Sequence, residues 1–443
     1  MNAVLEWISR PAGPLRGEPG MPGDKSISHR ALMLAALAEG RSRIEGFLEG
    51  EDTRATAAVL QQLGVHIAAP ADGVRVVDGV GLHGLHASAQ PLDCGNAGTG
   101  MRLLTGLLAG QGFDSTLVGD ASLSRRPMRR VIEPLAAMGA RIDSRDGLPP
   151  LRIHGGQRLR GATIDTPLAS AQVKSAILLT GLYAEGTTAV CEPQPTRDYT
   201  ERMLAAFGWP IEFGPGWARL SGGHRLHATD VRVPADFSSA AFFIVAACVI
   251  PGSDLLLRDI GLNPRRTGLL EVLRAMGADI RIESPREQGG EPVGDLRVRH
   301  APLHGIDIPV AHVADMIDEC PVLFVAAATA QGRTVLRGAT ELRVKESDRI
   351  AVMASGLRRL GIAVEELADG AAIEGGALCG GAVDSSGDHR CAMSFAVAGA
   401  VADAAVRIRD CANVATSFPG FLDAAHAAGM AVAAAPETGE VTA

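Results

Sequence analysis

The chain reads as an α/β protein of two similar domains, each built from three copies of one mixed helix and strand unit. Three observations predict this. A helix-glycine-strand signature recurs six times, a second helix precedes each recurrence, and the composition suits large buried cores. Of 443 residues, 47% are hydrophobic and only 4% aromatic, so the interior must be built mainly from Ala, Leu, Val and Ile. That composition excludes disordered, collagen-like and disulfide-scaffold classes.

The signature segments are AVLQQLGVHI (58–67), EPLAAMGARI (133–142), RMLAAFGWPI (202–211), EVLRAMGADI (271–280), SGLRRLGIAV (355–364) and DAAHAAGMAV (423–432). Apolar residues at helical spacing, then glycine, then a short apolar alternation read as helix, left-handed cap and strand. The glycines Gly64, Gly139, Gly208, Gly277, Gly361 and Gly429 stand 75, 69, 69, 84 and 68 residues apart. That spacing is too long for a solenoid and suits a unit of several strands and two helices.

Upstream of each signature a second helix is predicted, at 26–39, 98–109, 170–185, 238–250, 319–331 and 389–402. Each opens polar and closes small and apolar. Strands are predicted next, at 42–48, 115–118, 187–191, 254–260, 333–336 and 405–408. One copy has too little core to stand alone, so three-plus-three packing is the natural division. The crossing between halves is expected near 234–239, where neither charge nor composition marks a linker.

Forty-two Lys and Arg against 50 Asp and Glu give a net charge of −8, which offers no chain-wide positive field for nucleic acid. The cysteines (Cys94, Cys191, Cys248, Cys320, Cys379, Cys391 and Cys411) are scattered and never spaced as CxxC. They argue against a disulfide framework or structural zinc and fit a reducing cytoplasm. Residues 1–20 lack a signal-peptide core, and the longest strongly apolar stretch, 240–250, falls well short of the roughly 20 residues that span a bilayer. Neither nucleic acid nor membrane is expected as a partner, and the tail 433–443 is expected to fray.

Function should gather at the polar starts of the first helices, where reactive groups differ from copy to copy while the rest stays bland. A helix N-terminus offers unpaired amides and a positive dipole end. Lys25-Ser26, Asn96-Ala97-Gly98-Thr99 and Ser170-Ala171-Gln172 could therefore cradle phosphate or carboxylate, or be ordinary caps. PGDKSISHR (22–30) sets Lys25 and Arg30 about Ser26 but lacks the spacing of an ATP-binding loop, and His29 reads as a structural histidine. RRPMRR (125–130) is either a solvated face or a set of anion-binding forks. ELRVKESDR (341–349) reads as a salt-bridged surface loop. Asp318 and Glu319 precede an apolar helix, where capping is the default and service as general base the alternative. Asp388-His389-Arg390 is richer than a cap requires, and no pairing of His, Asp or Glu has a familiar metal-ligand spacing.

Seven motifs together carry a resemblance: PGDKSISHRALMLAALAEG (22–40), GNAGTGMR (95–102), SLSRRPM (122–128), SAQVKSAILL (170–179), TRDYTERML (196–204), RVKESDRI (343–350) and DHRCAMSFAVAG (388–399). In this order, over residues 20–430, the chain resembles the 5-enolpyruvylshikimate-3-phosphate synthase family. The resemblance implies the enolpyruvyl transferase fold, an inside-out α/β barrel of two domains, each of three βαβαββ units, with the active site in the cleft. By similarity the domains are 23–238, and 1–22 with 239–443. It implies transfer of the enolpyruvyl group of phosphoenolpyruvate to the 5-hydroxyl of shikimate 3-phosphate, by addition and elimination of phosphate, towards chorismate and aromatic amino acids. No cofactor or metal is implied.

The resemblance assigns catalysis to Asp318, which handles the hydroxyl proton, to Glu346, the acid near the methylene carbon, and to Lys25. It assigns phosphoenolpyruvate to Lys25, Asn96, Gly98, Arg126, Gln172, Lys345, Arg349 and Arg390. Shikimate 3-phosphate falls to Lys25, Ser26, Arg30, Ser170, Ala171, Gln172, Arg197, Asp318 and Lys345. A monomer is expected, with glyphosate as inhibitor. The lysine that some members carry before the last Phe-Pro is absent from Thr416-Ser417-Phe418-Pro419, as in the class II subgroup that includes glyphosate-tolerant enzymes. Gly98, in contrast, leaves the anion pocket open, so glyphosate sensitivity is expected. One alternative is a UDP-N-acetylglucosamine enolpyruvyl transferase, whose reactive-cysteine loop is not recognisable near 125–128. The other is a non-catalytic phosphometabolite-binding protein, against which the retained Asp318 and Glu346 argue.

Overall fold

The computed structural model describes residues 5–435, which divide into two compact units. A nearly continuous unit holds Pro22–Ala235 and Arg286–Val293. A split unit holds the described residues up to Met21, Asp236–Pro285 and those from Gly294 on. The continuous unit carries α1 (Lys25–Leu37), α2 (Glu51–Gln62), α3 (Gly98–Ala109), α4 (Arg129–Ala137), α5 (Ala171–Gly181) and α6 (Tyr199–Ala206). The split unit carries α7 (Phe237–Val249), α8 (Gly268–Ala275), α9 (Cys320–Thr329), α10 (Arg349–Arg359), α11 (His389–Val401) and α12 (Phe421–Ala428).

Odd and even helices differ in sequence and therefore in place. Past their polar starts the odd ones are apolar on all sides, and they are buried along nearly their whole length, α7 from Phe237 to Cys248 without interruption. They pack on one another, α3 on α5 and α7, α9 and α11 together, as the centre of each unit. The even ones bury a single stripe, such as Val131 and Leu135 of α4, while Glu133 between them stays exposed. Truncating a central leucine such as Leu103 to alanine would cost about 2–5 kcal/mol, because the close-packed surroundings relax only in part.

All six signature glycines end an even helix in the left-handed region, with φ of +95°, +100°, +83°, +103°, +87° and +95° in chain order. A side chain there would meet its own backbone, so the turn into the following strand selects glycine. The predicted first helices also form, with shifted ends. α1 stops at Leu37 because the strand Ala38–Glu45 starts at once, and α5 ends at Gly181 rather than 185.

Each copy closes one sheet on a common plan. Thr163–Asp165 runs parallel to Thr187–Cys191, which pairs antiparallel with Trp217–Ser221, itself antiparallel to Ile211–Gly214. Leu92–Asp93, Ser115–Val118, Leu148–His154 and Arg141–Arg145 repeat the order. The first copy borrows its parallel strands, Leu226–His227 and Val231–Arg232, from the far end of the continuous segment. In the split unit, Arg16–Gly17 begins the sheet of Asp254–Gly261. Trp7–Arg10 lies between Val406–Arg409 and Ala431–Ala434.

Trp7 also stacks on Phe421 at 5.4 Å, within a cluster that includes Phe242, Phe243 and Phe418. Ala433 and Ala434 pair with Ile8 and Trp7, so the expected fraying does not begin at Ala433; residues 436–443 lie outside those described. No helix among the described residues is long and apolar enough to cross a membrane.

Candidate active site

In the continuous unit, the starts of α1, α3 and α5 carry the candidate binding groups. Asp24 caps α1 by accepting from Ile27 N at 2.9 Å, which sets Lys25 and Ser26 on its first turn. Lys25 Nζ lies 3.0 Å from Asp52 Oδ2. Arg30, one turn further, is nearly buried: it donates to Thr200 Oγ1 at 2.7 Å, Ser26 O at 2.8 Å and Ser175 Oγ at 2.8 Å. Burial, with Arg197 nearby, lowers its pKa to about 10. His29 is fully buried with Nδ1 2.8 Å from Thr56 Oγ1, and burial, with Lys25 and Arg30 adding, takes it to about 3. It is a neutral structural histidine, as the sequence suggests.

Of the four clustered arginines, the fold buries only Arg126, because α4 starts at Arg129 and turns Arg125 and Arg129 outward. Arg126 donates to Asn96 Oδ1 at 2.6 Å, while Asn96 Nδ2 donates to Asp120 Oδ2 at 2.7 Å. Ala97 at the start of α3 makes no side-chain cap, and the Gly98 amide donates to Asn96 O at 2.8 Å. A Cβ on Gly98 would come 2.9 Å from Arg126 Nη1 and 3.3 Å from Arg102 Nη1. Gln172, in the first turn of α5, accepts from Arg102 Nη1 at 2.8 Å and donates to Thr99 Oγ1 at 2.8 Å. Ser170 is the cap residue of α5, followed by buried Ala171, and Arg197 is half-buried just before α6.

In the split unit, the starts of α7, α9 and α11 bear Asp236, Glu319 and Asp388, and each carboxylate meets an arginine. Asp318, just before α9, lies 3.2 Å from Arg266 Nη1, 3.4 Å from Arg349 Nη1 and 3.6 Å from Lys345 Nζ. Arg349 also donates to Glu346 Oε2 at 2.5 Å and Asp388 Oδ2 at 2.8 Å. Burial opposes its charge, but Asp388, Glu346 and Asp318 hold its pKa above the ordinary arginine value. Burial lowers the pKa of Lys345 against the pull of Asp318. Arg390 donates to Asp318 O at 3.1 Å.

Two expectations need correction. The 341–349 segment is not merely a salt-bridged surface loop: Arg343 does pair with Asp348 and Glu366, but Arg349 is 1% exposed. Glu319 does not cap α9; its Oε1 instead accepts from Ser238 Oγ and lies 3.5 Å from Arg266 and 3.6 Å from Arg390. With cations on two sides, the carboxylate gains more from them than from the helix amides.

Arg102, Lys174 and Arg266 are site-adjacent groups that the sequence reading passed over. Lys174 and Arg102 carried a signal, each being the one charged residue of an otherwise apolar or small-residue helix.

Residues 9–424 match the family model described as EPSP synthase (3-phosphoshikimate 1-carboxyvinyltransferase). The chain belongs to the EPSP synthase family. A 3-phosphoshikimate 1-carboxyvinyltransferase of Xanthomonas campestris pv. campestris (strain B100) is 65% identical over 436 residues, 98% of this chain and 100% of its own length. One from Xanthomonas oryzae pv. oryzae (strain PXO99A) is 64% identical over 97% of this chain and 98% of its own. The structure of EPSP synthase from Acinetobacter baumannii aligns with a TM-score of 0.88 and 48% identity, covering 98% of this chain and 100% of that one. The enolpyruvyl transferase NikO from Streptomyces tendae, at 19% identity and a TM-score of 0.79 over 98% and 100%, shares the fold.

The enolpyruvyl transferase fold expected from the motifs is thus the fold observed. EPSP synthases are transferases of the shikimate pathway whose substrates are phosphoenolpyruvate and shikimate 3-phosphate.

Proposed function

We propose that this chain transfers the enolpyruvyl group of phosphoenolpyruvate to the 5-hydroxyl of shikimate 3-phosphate, with Asp318 as the proton acceptor. The observation that carries the assignment is the Asp318 carboxylate set among Arg266, Arg349 and Lys345, with Glu346 on the same Arg349 guanidinium. The cluster sets both carboxylates beside cations that suit an anionic substrate. Asp318 takes the hydroxyl proton as the oxygen bonds to C2 of phosphoenolpyruvate, and Glu346 gives a proton to C3. The tetrahedral intermediate then loses phosphate, which leaves with the proton Asp318 took from the hydroxyl, while C3 returns its proton to Glu346, so the double bond reforms and both carboxyl groups regain their starting states. Lys345, Arg349 and Arg390 with Lys25, Asn96, Gly98, Arg126 and Gln172 hold phosphoenolpyruvate. Ser26, Arg30, Ser170, Ala171, Gln172 and Arg197, with Lys25, Asp318 and Lys345, hold shikimate 3-phosphate.

On this reading the chain works as a cytoplasmic monomer, in keeping with seven unpaired thiols, two of them exposed. Glyphosate competes with phosphoenolpyruvate. The test is phosphate release with both substrates, with each substrate alone as control. Release that needs both supports the reading; no release by folded protein removes it, and UDP-N-acetylglucosamine as acceptor then tests the related transferase.

A further inference from the structure

Lys174 is the one charged residue of AQVKSAILLTG in α5, and its side chain is 2% exposed. Its Nζ lies 2.8 Å from Glu192 Oε2 and 2.9 Å from Glu201 Oε1, whose side chains are 0% and 1% exposed. It also donates to Thr196 O at 3.4 Å. These three acceptors match the three donors of an ammonium group, so the charge is used inside the protein. Burial works against that charge, yet Glu201 and Glu192 outweigh it and hold the lysine pKa above its ordinary value. Burial pushes the Glu201 carboxyl up, with Lys174 opposing.

Glu192 passes the anchor on. Its Oε1 accepts from Ser170 N at 3.2 Å and from Thr196 Oγ1 at 2.6 Å, and Oε2 also receives Thr196 Oγ1 at 2.8 Å. Ser170 is the cap residue of α5, Arg197 directly follows Thr196, and Glu201 belongs to α6. One buried ammonium therefore ties together the start of α5, the strand end at Glu192, the 196–197 backbone and α6.

We propose that Lys174 is a positioning residue for the acceptor's phosphate: through Glu192 it holds Ser170 and the Thr196–Arg197 backbone in the arrangement that receives a phosphate monoester. The inference rests on the assignment of Ser170 and Arg197 to shikimate 3-phosphate. Lys174 does not touch the phosphate; it fixes the groups that do. Misplacing such groups by about 1 Å can cost up to ~100-fold in binding or rate.

The test is calorimetric titration of the full chain with shikimate 3-phosphate and with shikimate, which lacks the phosphate. Lys174→Met should raise the Kd for shikimate 3-phosphate by roughly 30-fold or more while that for shikimate moves less than about threefold. If Lys174→Met does not fold, Lys174→Met/Glu201→Gln removes one of the stranded carboxylates, and Glu192→Gln cuts the same link from the other side. Ser170→Ala and Arg197→Ala are the controls. If they leave shikimate 3-phosphate affinity intact, the underlying site assignment fails and the inference with it. If they weaken it while the folded Lys174 variants do not, only the positioning role is overturned. Equal losses for both ligands would mark Lys174 as merely structural and likewise overturn it.

Discussion

Arg349 Nε donates to Asp388 Oδ2 at 2.8 Å across an ion pair whose side chains are 1% and 0% exposed. The other oxygen of Asp388 caps α11 by accepting from Arg390 N at 2.9 Å. A single carboxylate thus fixes a helix start and aims the guanidinium that reaches both Glu346 and Asp318. In Asp388→Asn the cap acceptor survives but the buried cation loses one of its three counter-charges, the one that is 0% exposed. Breaking such a pair from one side should cost about 3–5 kcal/mol in chemical denaturation. The KM for phosphoenolpyruvate should rise with it, and a variant unchanged in both would detach Asp388 from the site.

Asp318→Asn keeps shape and removes the proton acceptor. Phosphate release with both substrates saturating should fall by ~10²–10⁴, the usual worth of a general base. The same measurement on Glu346→Gln reports the acid. A loss under tenfold in the folded Asp318 variant would take that carboxylate out of the chemistry.

At Gly98 the space is decided by Arg126. An alanine methyl 2.9 Å from Arg126 Nη1 forces that guanidinium to move, and with it the bond to Asn96 Oδ1. In Gly98→Ala, the KM for phosphoenolpyruvate should rise by ~10-fold, with little change for shikimate 3-phosphate, as expected when one anion-binding group is displaced. Glyphosate inhibition, expected in the parent, should weaken in parallel. Resistance already present in the parent protein would contradict the open-pocket reading.

His29 makes stability depend on pH. Its pKa is about 3 in the folded chain against an ordinary 6.5, so the unfolded chain binds one more proton between those values. Its contribution is intact above pH 6.5 and is lost as pH falls, by about 1.4 kcal/mol per pH unit, until the folded value is reached. Urea unfolding at pH 7.5 and 4.5 should show a smaller acid loss for His29→Gln than for the parent. Equal losses would mean that His29 is not the group responsible.

The repeat was legible because its marker is backbone geometry: a left-handed turn between helix and strand leaves few choices but glycine, and Gly64 through Gly429 all take it. The opening strands of the copies were not, since Leu92–Asp93 or Thr163–Asp165 is too short to show alternation. Trp7–Arg10 gave no hint that its partners lie near residues 408 and 432. At the site, sequence could name Arg126 and Arg349 as cations but not say which charges the fold buries. Arg349 hid among neighbours that do form surface pairs, and Lys174 gains its meaning from Glu192 and Glu201 on other elements.

The placement of Trp7–Arg10 between Val406–Arg409 and Ala431–Ala434 also orders events during synthesis. Domains tend to fold as units while the chain emerges. Pro22–Ala235 can assemble its six helices and three sheets as soon as it leaves the ribosome. The stretch ahead of it, made before it, must wait without its strand partners until Val406–Arg409 and Ala431–Ala434 arrive. A segment made before the continuous unit is thus folded after it, and its exposed Trp7 and Ile8 are what a chaperone would meet in the meantime.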